Sequence, residues 1–583
     1  MRFAHHLSPI DHRHSPRAAA NEEGGKMLLS PKARGNNPVA LLGLRSGLWR
    51  CNIAAVNHAR RSGVVLLAAI LLVSSLISAF ASGSALAFVW PAVVALATIL
   101  LLRQAVLGLV AGSFAGCLLL TNGHWGNATL ALVQDHFFPS MQGPWRVGAI
   151  LFTLILGAFT VVIERGGGFE SVANKLLGKH ATDPRRRLET ATGLLGVLCF
   201  FDGLANSLLL GRITRPLADR IGVARAKMAY LVDSTSSSIA CIAFISTWIA
   251  TQLSLIQQSI DGRGISESAY ALFFQSIPQN FYCLFTLVLA ALVVWRRWDF
   301  GPMKKAKSTP HETSSEVADS TSSIWIALAP IIILSVSIVS LFYLWETRPL
   351  WPVTSDKLST AFSGNAGPYA LTLGSVIGLL AACFFFPRKR QPELATAVSE
   401  GAASMLGPLL ILVSAWTFGS ILGELGTAKW LASSMSGAFP VDYFPAAIFI
   451  TGAAISFLTG SSWGTMALLM PLALPAYLDL APDQPVLLSA VIGAVFSGAV
   501  FGDHCSPFSD TTIVSAFACG ITAQEHVVTQ LPYALLAAAV AMGVGFCGLA
   551  LGLPAWLLLG IGTLLLGGLA CAATRHKPKP DSD

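Results

Sequence analysis

Long apolar runs alternate with short polar segments along most of this chain. The first four runs lie near residues 63–81, 86–102, 104–120 and 147–164. Each run can cross a hydrocarbon layer of roughly 30 Å, because a helix rises about 1.5 Å per residue. Continued to the C-terminus, the pattern predicts about twelve transmembrane helices and therefore an all-α polytopic membrane protein.

Two further segments do not fit simple spans, because polar residues interrupt them near their centres. The segment 188–211 turns at Gly203, and both of its flanks are basic. The segment 442–478 turns at Gly460, and both of its flanks map to the outer side. The sequence therefore predicts two opposed re-entrant hairpins, one entering from each side of the membrane.

Each predicted hairpin is followed by an apolar stretch that carries an acid and several hydroxyls. The acid is Asp233 in the first half and Asp503 in the second half. We expect the helix to break at both stretches. A hairpin followed by a broken helix, present twice in opposite orientation, is an inverted repeat. Such repeats place the substrate site at their interface, near the membrane midplane.

Basic residues are confined to alternate loops, and this sets the predicted orientation. Lys and Arg cluster at 165–188, 296–307, 388–390 and 575–579, whereas the loop 121–145 contains neither. The positive-inside rule then places both termini in the cytoplasm. The predicted organisation is 1–60, a disordered cytoplasmic N-terminal extension; 61–300, a first transmembrane half with the cytoplasmic-side hairpin; 301–322, a polar cytoplasmic linker; 323–573, a second transmembrane half with the outer-side hairpin; and 574–583, a cytoplasmic tail.

The composition supports a membrane location and excludes two other classes. Only 12% of the residues are charged, 54% are hydrophobic and the mean hydropathy is +0.64, whereas a soluble chain has about 25% charged residues. The net charge of +8 does not indicate nucleic-acid binding, because the basic residues lie in loops between apolar runs. The ten cysteines have the spacing of neither a disulfide framework nor a zinc site.

The stretch FGDHCSPFSDTT at 501–512 carries the main chemical signal. An ionisable group at membrane depth costs about 2.5–3.5 kcal/mol even on insertion scales, so it indicates a functional site. Pro507 lacks an N–H and is expected to break the helix. Backbone carbonyls freed by the break are tolerated only where they are buried in protein or line a watery cavity. Acids and free oxygens at a broken helix are suitable ligands for a hard cation such as Na⁺.

The predicted cation- and proton-binding residues, which are also the predicted Na⁺ ligands, are carboxylates and hydroxyls: Asp503, Asp510, Asp233, Ser234, Thr235, Ser506, Thr511, Thr459, Ser461 and Ser462. Asp202 and Asn206 lie at the first hairpin turn, where turn chemistry alone also explains them. His504 is either a proton shuttle or a neutral, packed imidazole. A buried carboxylate must be neutralised by a proton or a cation. One acid that accepts either, but not both, would couple Na⁺ to H⁺ by competition.

Three motifs resemble those of a known family. Gly-Asp-His-Cys-Ser-Pro-Phe-Ser-Asp-Thr-Thr at 502–512 closely resembles the signature of the NhaC family of bacterial Na⁺/H⁺ antiporters, and the sequences at 459–465 and 231–236 are similar to its other motifs. The resemblance implies the ion-transporter superfamily, whose members pair opposed hairpins with broken helices and move by an elevator-like shift. It also implies a bacterial inner membrane and exchange of Na⁺ or Li⁺ for H⁺.

The alternative function is a Na⁺- or H⁺-coupled exchanger of organic acids such as malate and lactate, since some relatives of this family exchange them. An intramembrane hydrolase would need Ser506 with His504, or Asp503 with Asp510, and neither pair explains why the polar pattern occurs twice. We therefore expect no enzyme and no cofactor apart from the transported ions. The expected partners are Na⁺ and H⁺ or a small organic anion, the lipid bilayer and, as in many elevator-type relatives, a second copy in a homodimer. Nucleic acid is not expected.

Overall fold

The computed structural model describes residues 72–74, 84–177, 183–306, 323–354, 357, 360–362, 366–436, 440–482 and 487–575. Every regular element in these ranges is helical. The predicted extension 1–60, the apolar run 63–81 apart from three residues, the linker beyond residue 306 and the tail beyond residue 575 lie outside the described residues.

The first half contributes eleven described α-helices of six residues or more: α1 (Ala85–Leu102), α2 (Ala105–Leu120), α3 (Trp125–Leu130), α4 (Pro144–Arg165), α5 (Gly168–Leu177), α6 (Pro184–Leu198), α7 (Gly203–Ile221), α8 (Arg225–Ile242), α9 (Thr247–Ile260), α10 (Ala269–Ser276) and α11 (Phe281–Arg296). Other elements join them: a π-helical segment (Ala131–Phe137), a helical turn (Phe138–Ser140) and two 3₁₀ turns (Ile277–Gln279 and Gly301–Lys305).

The second half also contributes eleven within the described ranges: α12 (Trp325–Glu346), α13 (Gly367–Phe385), α14 (Leu394–Ser404), α15 (Leu406–Leu425), α16 (Thr427–Met435), α17 (Phe444–Thr459), α18 (Ser462–Leu480), α19 (Leu488–Cys505), α20 (Asp510–Cys519), α21 (Ala523–Val540) and α22 (Ala555–Arg575). Its shorter elements are two 3₁₀ turns (Arg388–Glu393 and Val441–Tyr443), a π-helical segment (Ala541–Phe546) and a helical turn (Cys547–Ala550).

By length and composition, eleven of the described helical segments can cross a membrane, or twelve when the bent pair α8–α9 counts as one span. Their burial separates a centre from a periphery. Within its most apolar stretch, α19 is 94% buried, whereas α22 is 22% buried, as expected of a helix that faces lipid. The prediction of an all-α polytopic membrane protein is confirmed.

Small residues allow the central helices to approach closely. Gly498 and Gly502 lie one turn apart on α19, on the face that packs against α17. A Cβ at Gly498 would lie 2.7 Å from the carbonyl oxygen of Phe449, and one at Gly502 would lie 2.4 Å from the backbone nitrogen of Phe457. Such small-residue pairs drive helix association in membranes, because van der Waals packing takes over there from the hydrophobic effect.

The direction of each central helix follows from its contacts. Ser207 Oγ of α7 donates to Ser236 Oγ of α8 at 2.7 Å, and Gly203, one turn earlier on α7, faces Ala240, one turn later on α8. The helices α7 and α8 are therefore antiparallel. Since α9 continues α8 with a bend of 43°, α9 also runs opposite to α7.

Two helices of the first half each run parallel to a helix of the second half. On α7 and α20, Gly211 lies against Ala518, and Arg215 lies against Gly520, so these helices run in the same direction. The helices α9 and α18 also run in the same direction. Near their starts, the rings of Trp248 and Trp463 lie 5.5 Å apart between centroids, and further along, Ser259 Oγ donates to the Met470 carbonyl at 3.5 Å. Because α9 runs opposite to α7, the hairpins α6–α7 and α17–α18 point in opposite directions, as predicted.

Each hairpin tip lies against the break of the broken helix in its own half. In the first half, Thr247 N donates to the Phe201 carbonyl at 2.8 Å. In the second half, a Cβ on Gly460 would lie 2.9 Å from the carbonyl carbon of Phe508. The second break covers residues 506–509, between α19 and α20, and includes Pro507 as predicted.

The predicted position of the first break is wrong. Asp233 and the hydroxyls that follow it lie inside the continuous helix α8, and the break covers residues 243–246 instead. Two of these hydroxyls bond to the helix's own backbone: Thr235 Oγ1 donates to the Leu231 carbonyl at 2.7 Å, and Ser236 Oγ donates to the Asp233 carbonyl at 3.1 Å. Back-bonding of this kind is compatible with helix.

Candidate functional site

Four helix N-termini meet where the tips and breaks come together. Gly203 at the start of α7 lies beside Trp248 at the start of α9, which packs on Trp463 at the start of α18. The tip of the second hairpin in turn contacts the segment before α20. Each N-terminus is capped by a side-chain oxygen that accepts a backbone N–H: Asp202 from Ala205 at 2.8 Å, Ser246 from Ile249 at 3.1 Å, Ser461 from Gly464 at 3.1 Å and Ser509 from Thr512 at 3.5 Å.

Asp503 lies in the last turn of α19 and is fully buried. Its carboxylate accepts hydrogen bonds from Ser509 Oγ and from Thr511 Oγ1, the latter at 3.0 Å. Its backbone carbonyl accepts from Thr512 Oγ1 at 2.9 Å. All three donors belong to the start of α20, so the carboxylate lies across the break, at the N-terminus of that helix.

The charge of Asp503 is only partly offset. Among the described residues, no Lys, Arg or His forms an ion pair with this carboxylate. The N-terminus of α20 contributes about half a positive charge. A buried carboxylate in this setting still needs a proton or a cation.

The hydroxyls of the second hairpin tip lie near Asp503 but bond to the backbone. Ser462 Oγ donates at 3.2 Å to the carbonyl of Ala499, one turn before Asp503 on α19. Thr459 Oγ1 donates at 3.5 Å to a carbonyl of its own helix, and Ser461 caps α18. The structure therefore brings these predicted residues to the helix that carries the acid, and Ser462 is close enough to interact with the Asp503 carboxylate as well.

Ser506 is the first residue of the break and Asp510 is the first residue after it, and the two differ in exposure. Ser506 is fully buried, and its Oγ has no hydrogen-bond partner within the described residues. Asp510 is the first residue of α20 and is exposed, and its carboxylate accepts from Thr511 N at 3.0 Å. Asp510 is therefore not part of the hydrogen-bonded set around Asp503.

Asp233 is the second fully buried acid, and its partners come from the other half of the chain. Its carboxylate accepts from Ser515 Oγ at 3.1 Å and from Gln530 Nε2 at 2.7 Å, and it lies 3.3 Å from His526 Nε2. Asp233 belongs to α8, whereas these partners belong to α20 and α21. Asp233 therefore lies where helices of the two halves contact each other.

A single amide group links the surroundings of the two acids. Gln530 Nε2, which holds Asp233, also donates at 3.1 Å to the carbonyl of His504, the residue after Asp503. Thr511 contacts Asp503 and Ser515 contacts Asp233, one turn apart on the same face of α20. A movement of the last turn of α19 or of α20 would therefore alter hydrogen bonds around both carboxylates.

Three of the predicted site residues make contacts that give them structural roles. Asp202 caps α7, and Asn206 Nδ2 donates to the Gly196 carbonyl at 2.9 Å, which ties the two limbs of the first hairpin together. Thr235 faces Gly196 of α6, with its hydroxyl bonded to its own helix. The structure does not bring these three into contact with Asp233.

Two further predicted residues are buried near the acids. Ser234 lies beside Asp233 within α8 and is almost fully enclosed. His504 is equally enclosed, and its Nδ1 lies 2.8 Å from the hydroxyl oxygen of Tyr282.

Comparison with known proteins decides the family. The Na⁺/H⁺ antiporter family matches residues 239–549, which is more than half of the chain. The chain belongs to the Na⁺/H⁺ antiporter family. The matched region contains Asp503 and the partners of Asp233, and it begins six residues after Asp233 itself.

Three relatives show how far the similarity extends. An uncharacterized protein of Haemophilus influenzae is 30% identical over 79% of this chain and 90% of its own length. An uncharacterized Na⁺/H⁺ antiporter of the same organism is 34% identical over 25% of this chain and 32% of its own length. A malate-2H⁺/Na⁺-lactate antiporter of Bacillus subtilis is 29% identical over 24% of this chain and 29% of its own length.

In this member of the family, sequence reasoning missed the partners of Asp233. Ser515, His526 and Gln530 were not predicted as site residues, although a signal was present. His526 and Gln530 are four apart in an apolar helix and therefore share one face of α21. Two polar side chains on one face of a membrane helix indicate a polar partner on a neighbouring helix.

Proposed function

We propose that this chain exchanges Na⁺ or Li⁺ for H⁺ across the bacterial inner membrane, by competition of cation and proton for Asp503. The observation that carries the proposal is the fully buried Asp503 carboxylate, which is held by hydroxyls and has no ion-pair partner among the described residues. Such a carboxylate is stable only with a proton or a cation beside it. Because one site cannot hold both, each ion displaces the other.

The chemistry of the neighbouring groups fits this exchange. Ser509 and Thr511 donate to the carboxylate, and a hydroxyl also carries two lone pairs that can turn toward a cation. The buried Ser506 Oγ, which lacks a partner within the described residues, is a further oxygen at the break. Hard cations prefer such oxygens. We assign Ser462, Ser461 and Thr459 to the wall of this site.

The two other acids have separate parts in this proposal. Asp233 is the second proton-binding carboxylate, and Ser515, Gln530 and His526 orient it. Asp510, exposed at the start of α20, attracts cations toward the break.

A second candidate is exchange of a small organic acid coupled to Na⁺ or H⁺. Four helix N-termini meet at the tips and breaks, and helix N-termini favour carboxylate groups. A relative of this chain is named as a malate-2H⁺/Na⁺-lactate antiporter. In this case the organic anion, and not the proton alone, would be exchanged.

The test is Na⁺-driven proton movement in inverted membrane vesicles from antiporter-deficient cells. Addition of Na⁺ should move protons out of vesicles that contain the wild type, as reported by a pH-sensitive dye, and Asp503→Asn should abolish the response. Asp442→Asn, which changes an exposed acid in the short turn Val441–Tyr443, is the matched control and should respond as the wild type does. A response that survives Asp503→Asn contradicts the role of Asp503, and a response to malate or lactate without one to Na⁺ supports the second candidate.

A further inference from the structure

An apolar groove follows the outside of the first hairpin. Residues of α6 and α11 form its walls, residues Leu231 and Thr235 of α8 form its floor, and its volume is about 420 Å³. Thr235 offers no free hydroxyl to the groove, because its Oγ1 donates to the Leu231 carbonyl. We call this feature the α6–α11 groove.

The α6–α11 groove has one charged end. Arg186, near the start of α6, lines the groove together with Trp295, near the end of α11, whereas Val197 and Leu287 line it towards the hairpin tip. Leu194, Val197 and Trp295 are 55%, 47% and 64% exposed, so the groove is open at the side of the protein. In a chain that spans a membrane, that side faces lipid. Tryptophan is enriched at the level of lipid headgroups, which places the charged end at the interface.

The acids at the charged end are already neutralised. Glu189, which also lines the groove, is paired with the buried Lys227 at 3.2 Å and with Arg185 at 3.1 Å. Asp299 is paired with the same two cations at 2.8 and 3.1 Å. Arg186 belongs to none of these pairs, and it is exposed.

A third acid at this end, Asp183, caps the N-terminus of α6 by accepting from Arg186 N, and its carboxylate is paired with Arg297. The guanidinium of Arg186 is therefore the group that can meet an anion at the end of the groove. An exposed Arg at the end of an apolar groove matches a phosphate joined to an acyl chain.

We propose that the α6–α11 groove binds an anionic glycerophospholipid, with its phosphate at Arg186 and one acyl chain along the groove towards Val197. The acyl chain of the lipid fills the space between α11 and α6, which is a limb of the first hairpin. Its floor residues Leu231 and Thr235 lie two positions on either side of Asp233. The bound lipid therefore supports the hairpin and the helix that carries the second buried acid.

Gly193 offers a direct test, because it lines the groove and nothing lies within 4 Å of a Cβ built on it. Gly193→Leu should place a side chain in the groove, and its Cβ meets no protein atom. Gly567→Leu is the matched control: Gly567 lies on α22, is also half-buried and also has open space at its Cβ. Arg186→Gln removes the charge at the groove's end and leaves the groove open.

The experiment compares the thermal unfolding midpoint of the purified full-length protein in detergent, with dioleoyl phosphatidylglycerol or with dioleoyl phosphatidylcholine added. We expect phosphatidylglycerol to raise the midpoint of the wild type and of Gly567→Leu by several degrees more than phosphatidylcholine does, because a ligand of the folded state stabilises it. Gly193→Leu should lose this extra rise, and Arg186→Gln should respond to the two lipids equally.

Equal responses of the wild type to the two lipids would overturn the proposal. So would an extra rise with phosphatidylglycerol that persists in both Gly193→Leu and Arg186→Gln. If Gly193→Leu does not fold, Arg186→Gln decides the matter alone. The readout does not depend on ion exchange, so its outcome is separate from that of the proposed function.

Discussion

At the scale of single residues, Asp503 is distinguished by what holds it. Two hydroxyls from the start of α20 donate to the carboxylate, and Ser462 Oγ of the second hairpin tip donates to the Ala499 carbonyl. A hydrogen bond to a charged group contributes about 1.5–3 kcal/mol. The hydroxyls of Ser509 and Thr511 should therefore stabilise the charged acid directly.

Thr511→Val removes one donor and one oxygen from Asp503 and keeps the shape of the side chain. We expect the Na⁺ concentration for half-maximal exchange to rise roughly tenfold or more, since 1.4 kcal/mol corresponds to a factor of ten. The measurement is the Na⁺ dependence of dye dequenching in vesicles. Thr192→Val is the control, because the hydroxyl of this buried residue donates only to the Leu188 carbonyl. An unchanged Na⁺ dependence in Thr511→Val would remove this residue from the site.

Gln530→Ala breaks the link between Asp233 and the His504 carbonyl. We expect exchange to fall strongly and the unfolding free energy to drop by about 1–3 kcal/mol, because buried groups lose their partner. Gln252→Ala is the matched control: this buried amide donates to the Cys241 carbonyl and not to either acid. A similar loss of stability with normal exchange is expected for the control. Equal exchange rates in the two variants would contradict a special role for Gln530.

The acid and hydroxyls around residue 503 could be predicted because they are local in sequence. Pro507 breaks the helix, and the residues on either side of a break can contact each other. The partners of Asp233 could not be placed in the same way. Ser515 and Gln530 reach it only because α20 and α21 pack against α8, almost 300 residues away along the chain.

At the scale of elements, the two repeats reach the same arrangement by different means. In the second half, Pro507 lies in the break itself. In the first half, the break contains no proline, and the serines and threonines after Asp233 remain helical. A run of several Ser and Thr residues therefore does not predict a helix break here. A hydroxyl in a helix can donate to a preceding carbonyl of the same helix, so its hydrogen bond is compatible with the helix. The hairpin turns were predictable, since Gly203 and Gly460 mark them directly.

Gly460→Ala tests the contact between a tip and a break. Gly460 has a φ of +67°, and a Cβ there would lie 2.9 Å from the Phe508 carbonyl carbon. Gly426→Ala is the control: its φ is +74°, but nothing lies within 4 Å of its Cβ. Both variants carry a conformational cost of about 1–2 kcal/mol. We expect only Gly460→Ala to lose most of its Na⁺-driven proton movement, and similar losses in both would show that the contact does not matter.

At the scale of the whole molecule, the contacts establish that the hairpins are opposed, and the basic loops predict which side each one faces. The described helices include eleven apolar enough to span a membrane, two of which are the limbs of the second hairpin, and the alternation of apolar runs predicted about twelve spans besides the hairpins. The pairing of α7 with α20 and of α9 with α18 could not be predicted, because it depends on close packing at positions such as Gly211 rather than on hydropathy.

The predicted orientation can be measured with single cysteines in a cysteine-free background. Ser266→Cys lies in the exposed segment after α9, and Lys389→Cys lies in the exposed basic turn before α14. Because basic loops stay in the cytoplasm, a membrane-impermeant maleimide added to intact cells should label the first and spare the second. Labelling of Lys389→Cys alone would reverse the orientation and, with it, the sides assigned to the two hairpins.

The central claim is that Na⁺ and H⁺ compete for Asp503, and binding of ²²Na⁺ to the purified protein at a series of pH values tests it most directly. If one proton excludes one Na⁺, the apparent dissociation constant is lowest at high pH, where the acid is free. As the pH falls and a proton occupies the site, the apparent dissociation constant for Na⁺ should rise, and the rise should approach tenfold for each pH unit. Asp503→Asn should bind no Na⁺ at any pH. Na⁺ binding that is independent of pH in the wild type, or that survives in Asp503→Asn, would contradict the account.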